Sequence, residues 1–148
     1  MRSPHRESFP KELCRQAYRL GYVAEKLGKK EKALEAYRRA YELDATYLPA
    51  LEGLGNLLVQ NQGWEEALRI YQAILIHHRD GLTDLEVVEI YWQIGELQAK
   101  LGQPDRAGKS FEKALEMDQN HEPSRLSLVQ VLEASGDFET AVEQRQKL

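Results

Sequence analysis

A pattern of about 34 residues recurs along this chain of 148 residues and constrains its fold more than any other feature. Each copy reads as two short amphipathic helices separated by a tight turn, as in the stretch from Gly21 to Ala45. An alanine opens each second helix, and these alanines are 34, 40 and 34 residues apart (Ala33, Ala67, Ala107 and Ala141). Because such a helix pair cannot bury its apolar face alone, the pattern predicts an all-α solenoid of stacked pairs.

Two further positions recur with the alanine. Twelve residues before it the chain has Gly21, Gly55, Gly95 and, as an exception, Val129. Four residues after it stand Tyr37, Tyr71, Phe111 and, again as an exception, Arg145. A mid-helix glycine costs about 1 kcal/mol relative to alanine, so its recurrence predicts that another helix backbone approaches there. The residues one before and three after the glycine, such as Leu20 and Ala24, are predicted to be core.

These residues resemble a tetratricopeptide repeat (TPR) array over about residues 14–148. The resemblance implies a right-handed α–α superhelical solenoid of about four helix-turn-helix repeats, whose first helices line a concave surface. Val129 and Arg145 depart from the family pattern in the fourth repeat. The predicted organisation is a flexible tail at 1–9 and a single array at 10–148, with repeats at about 14–47, 48–81, 88–121 and 122–148 and a short insertion near 79–87.

Local signals place the helix ends. The first helix is predicted to begin at Pro10 and to end before Gly28. Thr83 and Glu86 form a capping-box pattern, in which each side chain satisfies a free backbone N–H at the start of the fifth helix.

Composition and charge exclude several classes of function. The net charge of −4 argues against a nucleic-acid binder that works by general electrostatic attraction. Residues 1–10 lack the apolar core of a signal peptide, and no apolar run approaches the roughly 20 residues that span a bilayer, so a cytoplasmic location without membrane contact is expected. Cys14 is the one cysteine, and it is interpreted as a filler residue rather than, as the less favoured alternative, a reactive thiol.

The motifs of catalysis are missing from the sequence. Gly53 and Gly55 lie in a helix pattern, and no phosphate-binding loop follows them. His77 and His78 point about 100° apart on a helix, which disfavours a shared metal ion. His121 is interpreted as an isolated residue in a turn. We therefore expect no enzyme, no cofactor and no metal.

The positions three before and one, four or five after the glycine form a separate stripe that is predicted to face the groove. Its aromatic members have the character of binding anchors, although packing against a neighbouring helix is an equal alternative. The predicted groove residues are Tyr18, Tyr22, Lys26, Glu52, Asn56, Trp92, Glu96 and Gln130.

One TPR subclass grips acidic C-terminal tails of chaperones with lysine, arginine and asparagine side chains on this stripe. Asn56 matches one of its positions, but Tyr18 stands where the first basic residue belongs and Glu52 would repel an acidic tail. The stripe suits a peptide of apolar and basic character better.

The leading hypothesis is thus a non-catalytic protein–protein interaction module, or scaffold, that binds a peptide segment or partner helix in its groove. One alternative is homo-oligomerisation through exposed array ends, where Val131, Leu132, Val142 and Leu148 could remain uncovered. Another is the regulatory or scaffold part of a larger multidomain protein.

Overall fold

The computed structural model describes residues 4–148, and the residues it describes form eight α-helices, one short 3₁₀ helix and no strand. They group into two compact units, an N-terminal unit that ends at His77 and a C-terminal unit that begins at His78. The helices are α1 (Pro4–Lys26), α2 (Lys30–Leu43), α3 (Leu48–Gln60), α4 (Trp64–His78), α5 (Asp84–Lys100), α6 (Pro104–Met117), α7 (Glu122–Ala134) and α8 (Phe138–Gln146).

The first helix begins earlier than the sequence pattern predicts. α1 starts at Pro4 and passes through Pro10, so residues 4–9 are helical where a flexible tail is expected, and residues 1–3 lie outside the described residues. Proline is well suited to a first helical position because its missing N–H would have no partner there, which makes Pro4 a natural start. Pro10 looked like the start because a proline inside a helix removes a backbone hydrogen bond.

The connection between the units carries the predicted capping box. A 3₁₀ helix, Arg79–Gly81, follows α4, and Thr83 then caps α5. The Thr83 hydroxyl accepts from the backbone N–H of Glu86 at 3.2 Å, while the Glu86 carboxylate accepts from the backbone N–H of Thr83 at 3.3 Å. The fifth helix therefore has its own start signal, independent of α4.

The recurrent glycines make room for an aromatic ring. A Cβ built on Gly21 would lie 2.5 Å from the ring of Tyr37, and one on Gly95 would collide with the ring of Phe111. The prediction of a close approach is thus right, but the approaching group is the aromatic side chain sixteen residues later, not a helix backbone. In the fourth repeat Arg145 replaces the aromatic, and the position of the glycine is filled by the buried Val129.

One predicted core residue is wrongly placed. Leu20 is 69% exposed, whereas the equivalent Leu54 and Leu128 are 0% and 3% exposed. Leu128 is buried because it packs on Ala107, Phe111 and Leu115 of the preceding second helix, α6. The described residues place no such helix on α1.

Within residues 4–148, no helix is both long and apolar enough to cross a lipid bilayer.

Candidate functional site

The predicted groove residues of the N-terminal unit lie around a cluster of tyrosine rings. Tyr18 on α1 lies 6.3 Å from Tyr22, 5.7 Å from Tyr47 and 5.8 Å from Tyr37, measured between ring centroids. Tyr37 is fully buried, Tyr18 and Tyr47 are half-buried, and Tyr22 is 46% exposed. We call the three accessible rings, Tyr18, Tyr22 and Tyr47, the tyrosine patch.

The tyrosine patch packs against the buried ring of Tyr37 through Tyr18. The ring of Tyr37 stacks on Tyr18, and its hydroxyl donates to the Glu25 carboxylate at 3.1 Å. A Cβ built on Gly53 would lie 2.8 Å from the tip of the same ring, so α3 also approaches Tyr37 closely. Burial, and then the Glu25 carboxylate, raise the pKa of Tyr37, and burial raises the pKa of Tyr18. The phenols of Tyr18 and Tyr37 are therefore neutral at physiological pH.

Charged and polar side chains surround the patch. The Lys26 ammonium lies 5.2 Å from the ring centroid of Tyr22, which is cation–π geometry. Asn56 is exposed on α3, and its side-chain oxygen accepts from the Tyr71 hydroxyl at 2.9 Å. Glu52 is also exposed on α3. Of the first five residues of the predicted stripe, Tyr18, Tyr22 and Lys26 are thus in contact, and Glu52 lies close enough to Tyr18 to help raise its pKa, whereas Asn56 contacts Tyr71 instead.

In the C-terminal unit the same stripe is closed by hydrogen bonds. The indole N–H of Trp92 donates to the Ser127 hydroxyl at 3.0 Å, and that hydroxyl donates to the Glu96 carboxylate. The side chains involved belong to α5 and the start of α7, and we call them the polar seam (Glu89, Trp92, Glu96, His121, Ser124 and Ser127).

His121 belongs to this seam, so its interpretation as an isolated residue in a turn is wrong. The imidazole is buried, its Nε2 lies 2.7 Å from the Glu89 carboxylate, and its Nδ1 lies 2.7 Å from the Ser124 hydroxyl. His121 also caps α7, since its Nδ1 accepts from the backbone N–H of Ser124. The repeat register could have indicated this role, because His121 stands 74 residues after Tyr47, at the equivalent position.

The order Ser124, His121 and Glu89 resembles a catalytic serine–histidine–acid arrangement, but it cannot act as one as it stands. Ser124 is 0% exposed, so no substrate carbonyl can reach its hydroxyl. The arrangement satisfies buried polar groups and fixes the start of α7.

Gln130 and Cys14, the remaining candidate residues, do not form a reactive or ligand-binding group. Gln130 is exposed on α7, outside the polar seam. Cys14 is buried and donates its S–H to the Ala40 carbonyl at 3.2 Å, and burial raises the pKa of the thiol, which fits the filler role. Across the described part of the chain, no three His, Cys, Asp or Glu side chains are grouped so that they could hold a metal ion.

Comparisons with known proteins identify the fold. Family models described as tetratricopeptide repeat match residues 17–47 and 47–120. A search of curated protein sequences gives no significant match.

Many solved structures share the fold. YrrB, described as a TPR protein with an unusual peptide-binding site, is 24% identical with a TM-score of 0.69; the match covers 88% of this chain and 64% of YrrB, less than two thirds of its length. MamA from Desulfovibrio magneticus RS-1, residues 41 to the end, is 18% identical with a TM-score of 0.75, covering 90% of this chain and 72% of that one. The first TPR domain of Spaghetti (RPAP3), bound to the HSP90 peptide SRMEEVD, is 16% identical with a TM-score of 0.66, covering 84% and 94%.

Proposed function

Because the chain belongs to the tetratricopeptide repeat family, we propose that it is a non-catalytic protein–protein interaction module that binds a peptide segment or partner helix. The observation that carries the proposal is the tyrosine patch of the N-terminal unit. Tyr22 is 46% exposed and lies against Tyr18, which stacks in turn on the buried ring of Tyr37. Aromatic side chains that are fixed before binding lose little conformational freedom when a partner docks, which favours them as anchors.

The patch favours a partner with apolar and basic side chains. Apolar side chains would pack against the rings, and the ring of Tyr22 already accepts one cation, Lys26. Glu52, exposed on α3, adds negative charge beside the rings. An acidic segment such as the one bound to Spaghetti (RPAP3) would meet Glu52 unfavourably, so we propose a different specificity for this chain.

Peptide selection tests the proposal without a known partner. A random dodecapeptide display library is selected on the immobilised chain, and the enriched peptides are synthesised with a fluorescent label. We expect them to combine apolar residues with Lys or Arg and to bind with affinities that Tyr22→Ala weakens at least tenfold. Tyr22→Phe keeps the ring and should bind nearly as well as the wild type.

Gln130→Ala is the matched control, because it truncates an exposed residue at the equivalent position of the C-terminal unit. Enriched peptides that bind Tyr22→Ala as tightly as the wild type, or that lose affinity only with Gln130→Ala, would contradict a site at the tyrosine patch. A library that yields no enriched peptide would contradict peptide binding itself.

A second candidate function is self-association. It is favoured by apolar side chains that are exposed on both α1 and α8.

A further inference from the structure

The outer side of the first helix pair carries an uncovered apolar groove. Leu20, Val23 and Leu27 of α1 are each more than half exposed and face Leu34 of α2 across a groove of about 900 Å³. Charged side chains of both signs line the opposite side, namely Lys29, Lys32, Arg38 and Arg39 with Glu31, Glu35 and Glu42. Three large aliphatic side chains in a row at one helix face make up an apolar patch of the kind that marks an interaction site.

The repeat register indicates which kind of element fits this groove. Leu20 is equivalent to Leu128 of α7, which packs in one buried cluster with Ala107, Phe111 and Leu115 of the preceding α6. The face of α7 that carries Leu128 is therefore covered by α6, the second helix of the repeat before it. The groove on α1 has the shape that receives such a second helix.

The helix α8 has the complementary character. In α6, Pro104 and Gly108 line the seam with α7, and a Cβ on Gly108 would contact the Leu128 side chain at 3.9 Å. The equivalent residues of α8, 34 positions later, are Phe138 and Val142, which are 64% and 52% exposed. α8 thus presents two apolar side chains at the positions that a following first helix would cover.

Charge favours the pairing of these two surfaces. Residues 9–43, which contain the groove, include nine basic and five acidic residues, whereas residues 122–148 include three basic and five acidic residues. On α8 the exposed Glu139 and Glu143 flank Val142 and would meet a groove lining in which basic side chains outnumber acidic ones by four to three. Opposite net charges of the two segments favour contact between copies in this orientation.

We propose that α8 of one molecule occupies the α1–α2 groove of a second copy of this chain, head to tail. The two surfaces are different, so the interface is heterologous, and each pair of molecules retains one open groove and one uncovered α8. Association therefore continues beyond the dimer as concentration rises.

Two blocked variants and their mixture test the proposal. Leu20→Glu/Val23→Glu blocks the groove, and Phe138→Glu/Val142→Glu blocks α8; all four side chains are exposed, so both variants should keep the helix content of the wild type by circular dichroism. By sedimentation velocity we expect the average mass of the wild type to rise with concentration past twice the 17.0 kDa of one chain. Each variant alone should remain monomeric, and their equimolar mixture should form a dimer that grows no further.

Ile76→Glu is the control, because Ile76 is an apolar residue of α4, 77% exposed, outside both surfaces. It should associate like the wild type. A wild type that stays monomeric at all concentrations would overturn the proposal and leave the groove to a helix from another protein. A single blocked variant that still associates, or a folded mixture that stays monomeric, would overturn the head-to-tail geometry.

Discussion

The two units use equivalent positions for opposite purposes. Tyr18 and Tyr47 of the N-terminal unit correspond to Trp92 and His121 of the C-terminal unit, 74 residues later, and both pairs meet edge to face, with ring centroids 5.7 Å and 6.4 Å apart. In the first pair the rings are surrounded by other rings, whereas the second lies in a chain of hydrogen bonds.

The neighbouring residues explain this difference. Ser124 and Ser127 of α7 correspond to Ala50 and Gly53 of α3, so the N-terminal unit has no hydroxyl groups where the C-terminal unit has two. The Ser127 hydroxyl bonds both Trp92 and Glu96, and the Ser124 hydroxyl bonds His121. The comparison teaches that hydroxyl groups on α7, together with polar partners on α5 and at His121, occupy in internal hydrogen bonds the positions that carry accessible rings in the N-terminal unit.

The largest expected difference in stability is between alanine variants of Trp92 and Tyr22, both of which the sequence pattern assigns to the groove. Trp92→Ala should lower the free energy of unfolding by about 2–3 kcal/mol, because it removes a half-buried ring and leaves Ser127 without its donor. Tyr22→Ala should change it by less than about 0.5 kcal/mol, because its ring is exposed. Urea denaturation followed by circular dichroism measures both, and equal losses would contradict the distinction.

Breaking the hydrogen bonds of the polar seam alone should have a smaller effect. Ser127→Ala removes the acceptor of the Trp92 indole and a donor to Glu96, which we expect to lower the free energy of unfolding by about 1–2 kcal/mol. Gln130→Ala, one turn further along α7 and exposed, is the control and should be nearly neutral. An unchanged stability in Ser127→Ala would mean that packing, not hydrogen bonding, closes the seam.

Alkaline pH should lower the free energy of unfolding of the N-terminal unit by an amount equal to or smaller than that expected for Ser127→Ala. The tyrosines of raised pKa among the described residues, Tyr18, Tyr37 and Tyr71, all lie in this unit, and burial, with a smaller effect of Glu52, raises the pKa of Tyr71 to about 12. A phenol whose pKa is higher in the folded state stabilises the fold fully below pH of about 10, and this stabilisation is lost as the pH rises through about 12.

Tyr71→Phe isolates this effect. Between about pH 9 and pH 11 the wild type should lose about 1 kcal/mol more stability than Tyr71→Phe, because the variant has no phenol to ionise. Denaturation curves at the two pH values give the difference. Parallel losses in the two proteins would show that Tyr71 ionises as freely in the folded chain as in the unfolded one.

Much of the fold follows from short-range sequence signals. Gly28 lies just after α1 and adopts φ of 75°, a backbone conformation that favours glycine, so the turn before α2 could be placed from sequence. Thr83 and Glu86 located the start of α5 for the same kind of reason, since a capping box involves residues only three positions apart.

The features that escaped prediction depend on distant partners. Whether Leu20 is buried depends on whether another helix packs on it. The apolar pattern of its own helix gives no information on that partner. Trp92 and Ser127 are 35 residues apart, and only the relative placement of α5 and α7 brings them into contact. The stripe was found because it is periodic, but its division into an accessible patch and a closed seam depends on these contacts.

The contact between each glycine and the ring sixteen residues later also bears on how such a chain can change over generations. A larger residue at Gly95 would collide with Phe111, and the loss of Phe111 would leave a void beside Gly95, so either change by itself should destabilise the fold. In the fourth repeat both positions differ, with Val129 in place of the glycine and Arg145 in place of the aromatic residue. The glycine position and the aromatic position of each repeat should therefore covary, so that an alignment of related sequences would show substitutions at both positions together.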